Sequence, residues 1–164
     1  MTIAENIAHI RSQITQAAIA AGRNPEDILL CAATKMNDAD KVRQAIDAGV
    51  DCCGENRVQE LTAKLSENAY QGAPVHFIGH LQTNKVKQVV GKVDLIQSID
   101  SLRLIQAVDR EAARQGIIQD VLLEINIGNE ESKSGFSPAD LPQILPQLTE
   151  YGNIRVRGLM AIPP

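Results

Sequence analysis

The chain has 164 residues, 44% of hydrophobic types, and a net charge of −4, which suits one soluble globular domain and leaves both an enzyme and a binding protein open. Lys and Arg do not cluster and do not alternate with aromatics, so neither a nucleic-acid groove nor an anionic membrane surface is expected. Aromatics make up only 2% and Trp is absent, so burial must come from Ile, Leu, Val and Ala, the usual filling of alternating strand and helix layers.

The N-terminal stretch MTIAENIAHIRSQ carries acidic and polar residues among its apolar ones, so neither a signal peptide nor a spanning helix is expected, and a cytoplasmic address follows. Ile3, Ile7, Ile10 and Ile14 recur at helical spacing, and Gly22 and Pro25 end the pattern, which predicts an amphipathic helix over residues 3 to 21. ILLCAATK then reads as a fully buried strand. Asn37 or Asp38 caps the next helix, which turns Val42, Ala45 and Ile46 inward and closes at Gly49.

That unit recurs. VDCCGEN (50 to 56) leads into a helix around Val58, Leu61 and Leu65, and VHFIGHL (75 to 81) into one around Val86, Val89 and Val90. VDLIQSID (93 to 100) is followed by Ser101 as a cap and a helix through Leu104, Ile105, Val108 and Ala112 to Gly116. VLLEINIG (121 to 128) leads to a helix opened by SPAD, with Ser137 as cap, Pro138 at the first helical position and Asp140 three residues after the cap. IRVRGLMAI (154 to 162) is a sixth strand.

Short apolar strands joined by helices imply right-handed crossovers and a parallel sheet. No GxGxxG marks a switch point, so the pattern favours a single (β/α) barrel domain over residues 1 to 164 rather than an open sheet. A full barrel has eight strands in roughly 250 residues, and six are counted here, so two edge strands with unpaired backbone groups are expected.

Cys31, Cys52 and Cys53 lie in apolar runs without CxxC spacing, which fits buried thiols in a reducing compartment; spacing also disfavours a zinc site built from them with His76 and His80.

In parallel α/β architectures ligands bind at the carboxyl ends of the strands, and those ends are polar here. They offer Thr34 and Lys35; Gly54, Glu55 and Asn56; Gly79 and His80; Ser98 and Asp100; Glu124 and Asn126; and Met160. A desolvated lysine drops below its usual pKa of about 10.4 and becomes a nucleophile towards aldehydes. The competing reading of Lys35 is a rim lysine that snorkels or pairs with Glu55 or Asp100.

Asn56 can serve a ligand through its amide or cap a helix. His76, inside VHFIG, reads as a hydrogen-bonded barrel histidine, with a ligand or proton-transfer role as the alternative. HLQTNK (80 to 85) is a polar loop that can equally start a helix at Thr83. ESKSGF (131 to 136) is an ordinary loop or an anion nest.

Taken together, ILLCAATK, DAGVDCCGENRVQE, HFIGHLQTNK, QSID, LLEINIGNEESKSGF and VRGLMAI resemble the pyridoxal-phosphate homeostasis protein family, in order and over essentially the whole chain. The resemblance implies a (β/α)₈ barrel like the N-terminal domain of fold-type III enzymes such as alanine racemase. It implies pyridoxal 5′-phosphate held as an internal aldimine on Lys35. Asn56 matches the GEN asparagine near the cofactor and Met160 the GLM position beneath the ring; with His76 these are the candidate cofactor contacts, and no metal is expected.

The segments that hold the phosphate and approach the pyridine nitrogen in full-length relatives follow the final strands and have no counterpart here. The implied role is non-catalytic buffering or delivery of the cofactor, with apo-enzymes that use it as recipients. A weak racemase-like enzyme is the alternative, and an inactive scaffold a third reading. A racemase needs a second acid/base, a tyrosine from a further domain; Tyr70 and Tyr151 are expected to be structural. Full-length relatives are expected to be monomers, while exposed edges could drive this chain to associate.

Overall fold

The structure, a computed structural model, describes residues 1 to 128, 130 and 133 to 163. The chain divides into two compact units, Met1–Glu55 with Gln59–Val75, and Asn56–Val58 with His76–Pro164.

In the first unit α1 (Ile3–Ala20) begins with a capping box: the Thr2 hydroxyl accepts from the Glu5 N–H and the Glu5 carboxylate accepts from the Thr2 N–H. It buries Ile7 and Ala18 while Ile10 stays exposed, so the buried stripe is narrower than the isoleucine spacing implies. β1 is Cys31–Ala33, shorter than ILLCAATK, and it is half-buried to exposed rather than fully buried. Upstream, the Leu30 N–H donates to the Asp51 carboxylate at 2.5 Å, and the Leu30 carbonyl accepts from the Asp51 N–H at 3.0 Å. Burial pushes the Asp51 carboxyl up, but the Leu30 N–H and the Arg11 guanidinium outweigh it and hold the group below its ordinary value.

Asp38 caps α2 (Ala39–Asp47) by accepting from the Lys41 N–H at 2.9 Å, and Ala39, Val42 and Ala45 are buried. β2 (Cys52–Glu55) is buried throughout and pairs parallel with β1, Cys31 opposite Cys52 and Ala33 opposite Gly54. α3 (Val58–Ser66) follows, with Leu61 buried. None of the three cysteines is in a disulfide among the described residues. The Cys52 thiol donates towards Cys31 and lowers its pKa, whereas burial pushes Cys53 up to about 11.

The second unit holds β3 (Val75–Phe77) from His76 onward, β4 (Leu95–Ile99), β5 (Gln119–Glu124) and β6 (Ile154–Met160), all parallel and hydrogen-bonded in sequence order. The β5–β6 register shifts between Val121 and Leu122. Parallel strands in sequence order, with helical segments between them, are the repeat of a (β/α) barrel.

The helix expected around Val86 is a 3₁₀ segment, Thr83–Gln88, flanked by Gln82 without a side-chain cap. Val86, Val89 and Val90 are buried nonetheless. α4 (Leu102–Gln115) starts at Ser101, whose hydroxyl accepts from the Leu104 N–H, and stops at Gly116 in the left-handed conformation, φ 69°.

Ser137 caps a 3₁₀ turn, Pro138–Asp140, through the Ala139 N–H, and α5 (Leu141–Ile144) continues from it. β6 is the edge of its group, and Leu159 is 57% exposed. Among the described residues no helix is long and apolar enough to cross a membrane.

Candidate functional site

Lys35 sits in a turn directly after β1 and is exposed. Neither partner considered from the sequence takes it: Glu55 pairs with Lys64 at 2.6 Å and Asp100 with His80 at 3.1 Å. The Lys35 carbonyl accepts from the Asn37 side-chain amide at 3.0 Å, which tightens the turn. Met36, the next residue, has φ 59°, a left-handed conformation that a methionine rarely adopts.

Behind this turn lies a buried ionic cluster. Glu55 is 0% exposed and Lys64 6%. One carboxylate oxygen of Glu55 accepts from Lys64 Nζ, from the Thr34 hydroxyl and from the Tyr70 hydroxyl at 3.1 Å, while the other has no hydrogen-bond partner among the described residues. Burial, reinforced by the Glu55 charge, raises the Tyr70 phenol well above its ordinary value, so Tyr70 is a donor that stays protonated. Thr34 fixes the end of β1 against β2 by donating its N–H to the Gly54 carbonyl at 2.9 Å.

In the second unit the strand ends converge on a cleft of about 290 Å³ lined by Asn56, Gly79, His80, Glu124, Asn126 and Met160, with Lys133 and Ser134 from the following loop. Its size is at the small end for small-molecule sites. A Cβ at Gly79 would stand 2.2 Å from the Asn56 carbonyl oxygen, so only glycine lets the two segments approach this closely. The Asn56 side-chain oxygen is buried without a hydrogen-bond partner among the described residues.

Burial raises the pKa of the Glu124 carboxyl, and the Asp100 charge adds to this against the opposing effect of His80. The Asn126 amide shapes the loop beyond β5 by donating to the Glu130 and Lys133 carbonyls and accepting from the Glu130 N–H. Lys133 pairs with Glu130 at 2.7 Å. Of the ESKSGF loop, Glu131 and Ser132 lie outside the described residues.

Asn56 and Met160, two of the four expected contacts, therefore line one cleft. His76 is half-buried on β3 with its Nδ1 2.9 Å from the Gln97 amide, the arrangement of a hydrogen-bonded barrel histidine, and it is not among the residues lining the cleft. Lys64, Glu60 and Tyr70 were not singled out from the sequence as neighbours of the Lys35 turn; the available signal was the Glu60–Lys64 spacing of one helical turn.

These features set the class: an α/β protein of parallel strands in sequence order whose polar groups gather at the carboxyl ends. The family described as "Alanine racemase, N-terminal domain" matches residues 2–164. The chain is 38% identical over 164 residues to the pyridoxal phosphate homeostasis protein of Aquifex aeolicus, covering 100% of this chain and 72% of that one. It is 40% identical to the Escherichia coli protein of the same name, covering 98% and 70%. The solved structure of PipY from Synechococcus elongatus with PLP bound is 36% identical with a TM-score of 0.83, covering 99% of this chain and 71% of that one. The chain belongs to the family of pyridoxal phosphate homeostasis proteins.

Proposed function

We propose that the chain binds pyridoxal 5′-phosphate through Lys35 and serves intracellular homeostasis of that cofactor as a non-catalytic carrier or buffer. One observation carries the reading: Asn56, whose side-chain oxygen is buried without a hydrogen-bond partner among the described residues, lines the cleft beside Gly79, which lets the Asn56 backbone come close. A planar ring bearing a hydroxyl suits an amide, which can both donate and accept, and Met160 offers a polarizable thioether to its face. The names of the relatives and the PLP-bound PipY structure support the choice of cofactor.

When bound, the cofactor supplies an aldehyde, which a neutral primary amine attacks to form a C=N bond with loss of water. Lys35 is the residue assigned that amine, because it stands in the exposed turn that follows β1 and has no carboxylate partner among the described residues. Asn56 orients, Met160 packs, and His76 serves the frame through Gln97. Tyr70 is committed to Glu55, which supports a structural role over acid/base work. Cytoplasmic apo-enzymes that use the same cofactor are the proposed recipients.

The test is incubation with pyridoxal 5′-phosphate, borohydride reduction and peptide mapping. A stoichiometric label on Lys35 is expected, with no D-alanine formed from L-alanine. Labels scattered over surface lysines with Lys35 unmodified would overturn the assignment, and saturable D-alanine formation lost in Lys35→Ala would make the chain an enzyme.

A further inference from the structure

We propose that Glu60 and Lys64, one turn apart on α3, are positioning residues that hold the Lys35 turn from both sides. The inference rests on the assignment of Lys35 as the aldehyde-binding amine. Thr34 and Met36 flank Lys35. Lys64 Nζ donates to the Thr34 carbonyl at 2.7 Å, and the Met36 N–H donates to a Glu60 carboxylate oxygen at 2.7 Å. The two side chains lie 3.6 Å apart, so the residues before and after Lys35 are gripped by one linked pair.

The grip has a load to hold. Met36 stands at φ 59° with its side chain 83% exposed, so packing does not hold it there. A left-handed methionine persists only where its surroundings over-determine it, and here the charge-assisted bond to Glu60 does so. Lys64 in turn is fixed by Glu55, itself bound to Thr34 and Tyr70.

The chain thus passes from the buried carboxylate through Lys64 and Glu60 to the backbone on both sides of the exposed amine. This accounts for the glutamates in GENRVQELTAK at their spacing: Glu55 ends β2 beside the turn, and Glu60 and Lys64 reach it from one face of α3. Fixing the turn leaves the Lys35 side chain fewer directions from a backbone that does not swing, which favours attack in one orientation.

Glu60→Ala and Glu60→Gln test this while leaving the buried Glu55–Lys64 pair in place. The glutamine is the nearly isosteric variant, and it keeps a weaker, uncharged acceptor. In protein without cofactor, hydrogen exchange at the Met36 amide should quicken about tenfold in Glu60→Ala, the loss expected for one hydrogen bond to a charged group, and by less in Glu60→Gln. Loaded and trapped with borohydride, the rate of Lys35 labelling relative to the other lysines should fall in the same order.

Equal relative labelling in all three proteins would overturn the positioning role, even if thermal stability dropped. Absence of Lys35 labelling in the unmodified chain would instead overturn the assignment of Lys35, so the two failures are distinguishable.

Discussion

The two units use the same side-chain chemistry in opposite ways. In the first, the Glu55 carboxylate is withdrawn from water and held by an ammonium and two hydroxyls, and the result is a fixed backbone turn. In the second, Asp100, His80 and Glu124 stand at strand ends; Asp100 pairs with a largely exposed imidazole, and Glu124 faces a cleft with its carboxyl pKa raised. A charge that is fully enclosed and held by three donors on one oxygen orders the chain. Charges left half-satisfied at an opening are available to a ligand.

The sharpest way to break the contrast is Glu55→Ala. It leaves Lys64 buried with Glu60, 3.6 Å away, as its remaining carboxylate partner, and loss of about 3 kcal/mol is expected, read as a lower denaturation midpoint. A loss of only a few tenths would mean that water reaches Lys64.

Next is Gly79→Ala, which places a methyl group against the Asn56 backbone and cannot be relieved by a side-chain rotation. About 2 kcal/mol is expected from the forced shift, with weaker binding of pyridoxal 5′-phosphate in a fluorescence titration. Unchanged binding would detach Asn56 from the cofactor.

The smallest effect is Glu124→Gln. Because the folded-state pKa of Glu124 is raised, the folded chain holds its proton more tightly than the unfolded one, and the ionised form costs stability above that pKa. That cost is relieved as the pH falls through the folded value. The glutamine should therefore raise the melting temperature at pH 8, and the gain should vanish below the ordinary carboxylate range. A gain independent of pH would assign the effect to something other than this charge.

Much of this was legible in the sequence because it depends on local chemistry. Asp38, Ser101 and Ser137 cap where a short oxygen-bearing side chain precedes an apolar periodic run. Of the strand-end residues read from the sequence, Asn56, Gly79, His80, Glu124, Asn126 and Met160 line the cleft, whereas Ser98 and Asp100 of the same unit are not among its lining residues.

The ionic cluster was hidden for a physical reason. Glu60 and Lys64 four residues apart on a helix ordinarily mark a solvated face, and only tertiary packing decides that Lys64 turns inward. β1 was overestimated because an apolar run does not reveal which of its residues packing covers: Leu29 is left 67% exposed. The 3₁₀ segment at Val86 was read as α-helix because its buried positions satisfy either period.

The shift in the β5–β6 ladder has a consequence for what the cleft presents. Val121 faces Val156 but Leu122 faces Gly158, so Arg157 is an additional residue on one strand. Side chains alternate between faces, so one extra residue reverses the phase of everything after it. It sets Met160 level with Glu124; a strand without it would set Leu159 there, and the thioether would look out on the opposite side. The polarizable wall of the cleft is thus chosen by a single unpaired position three residues earlier in the chain.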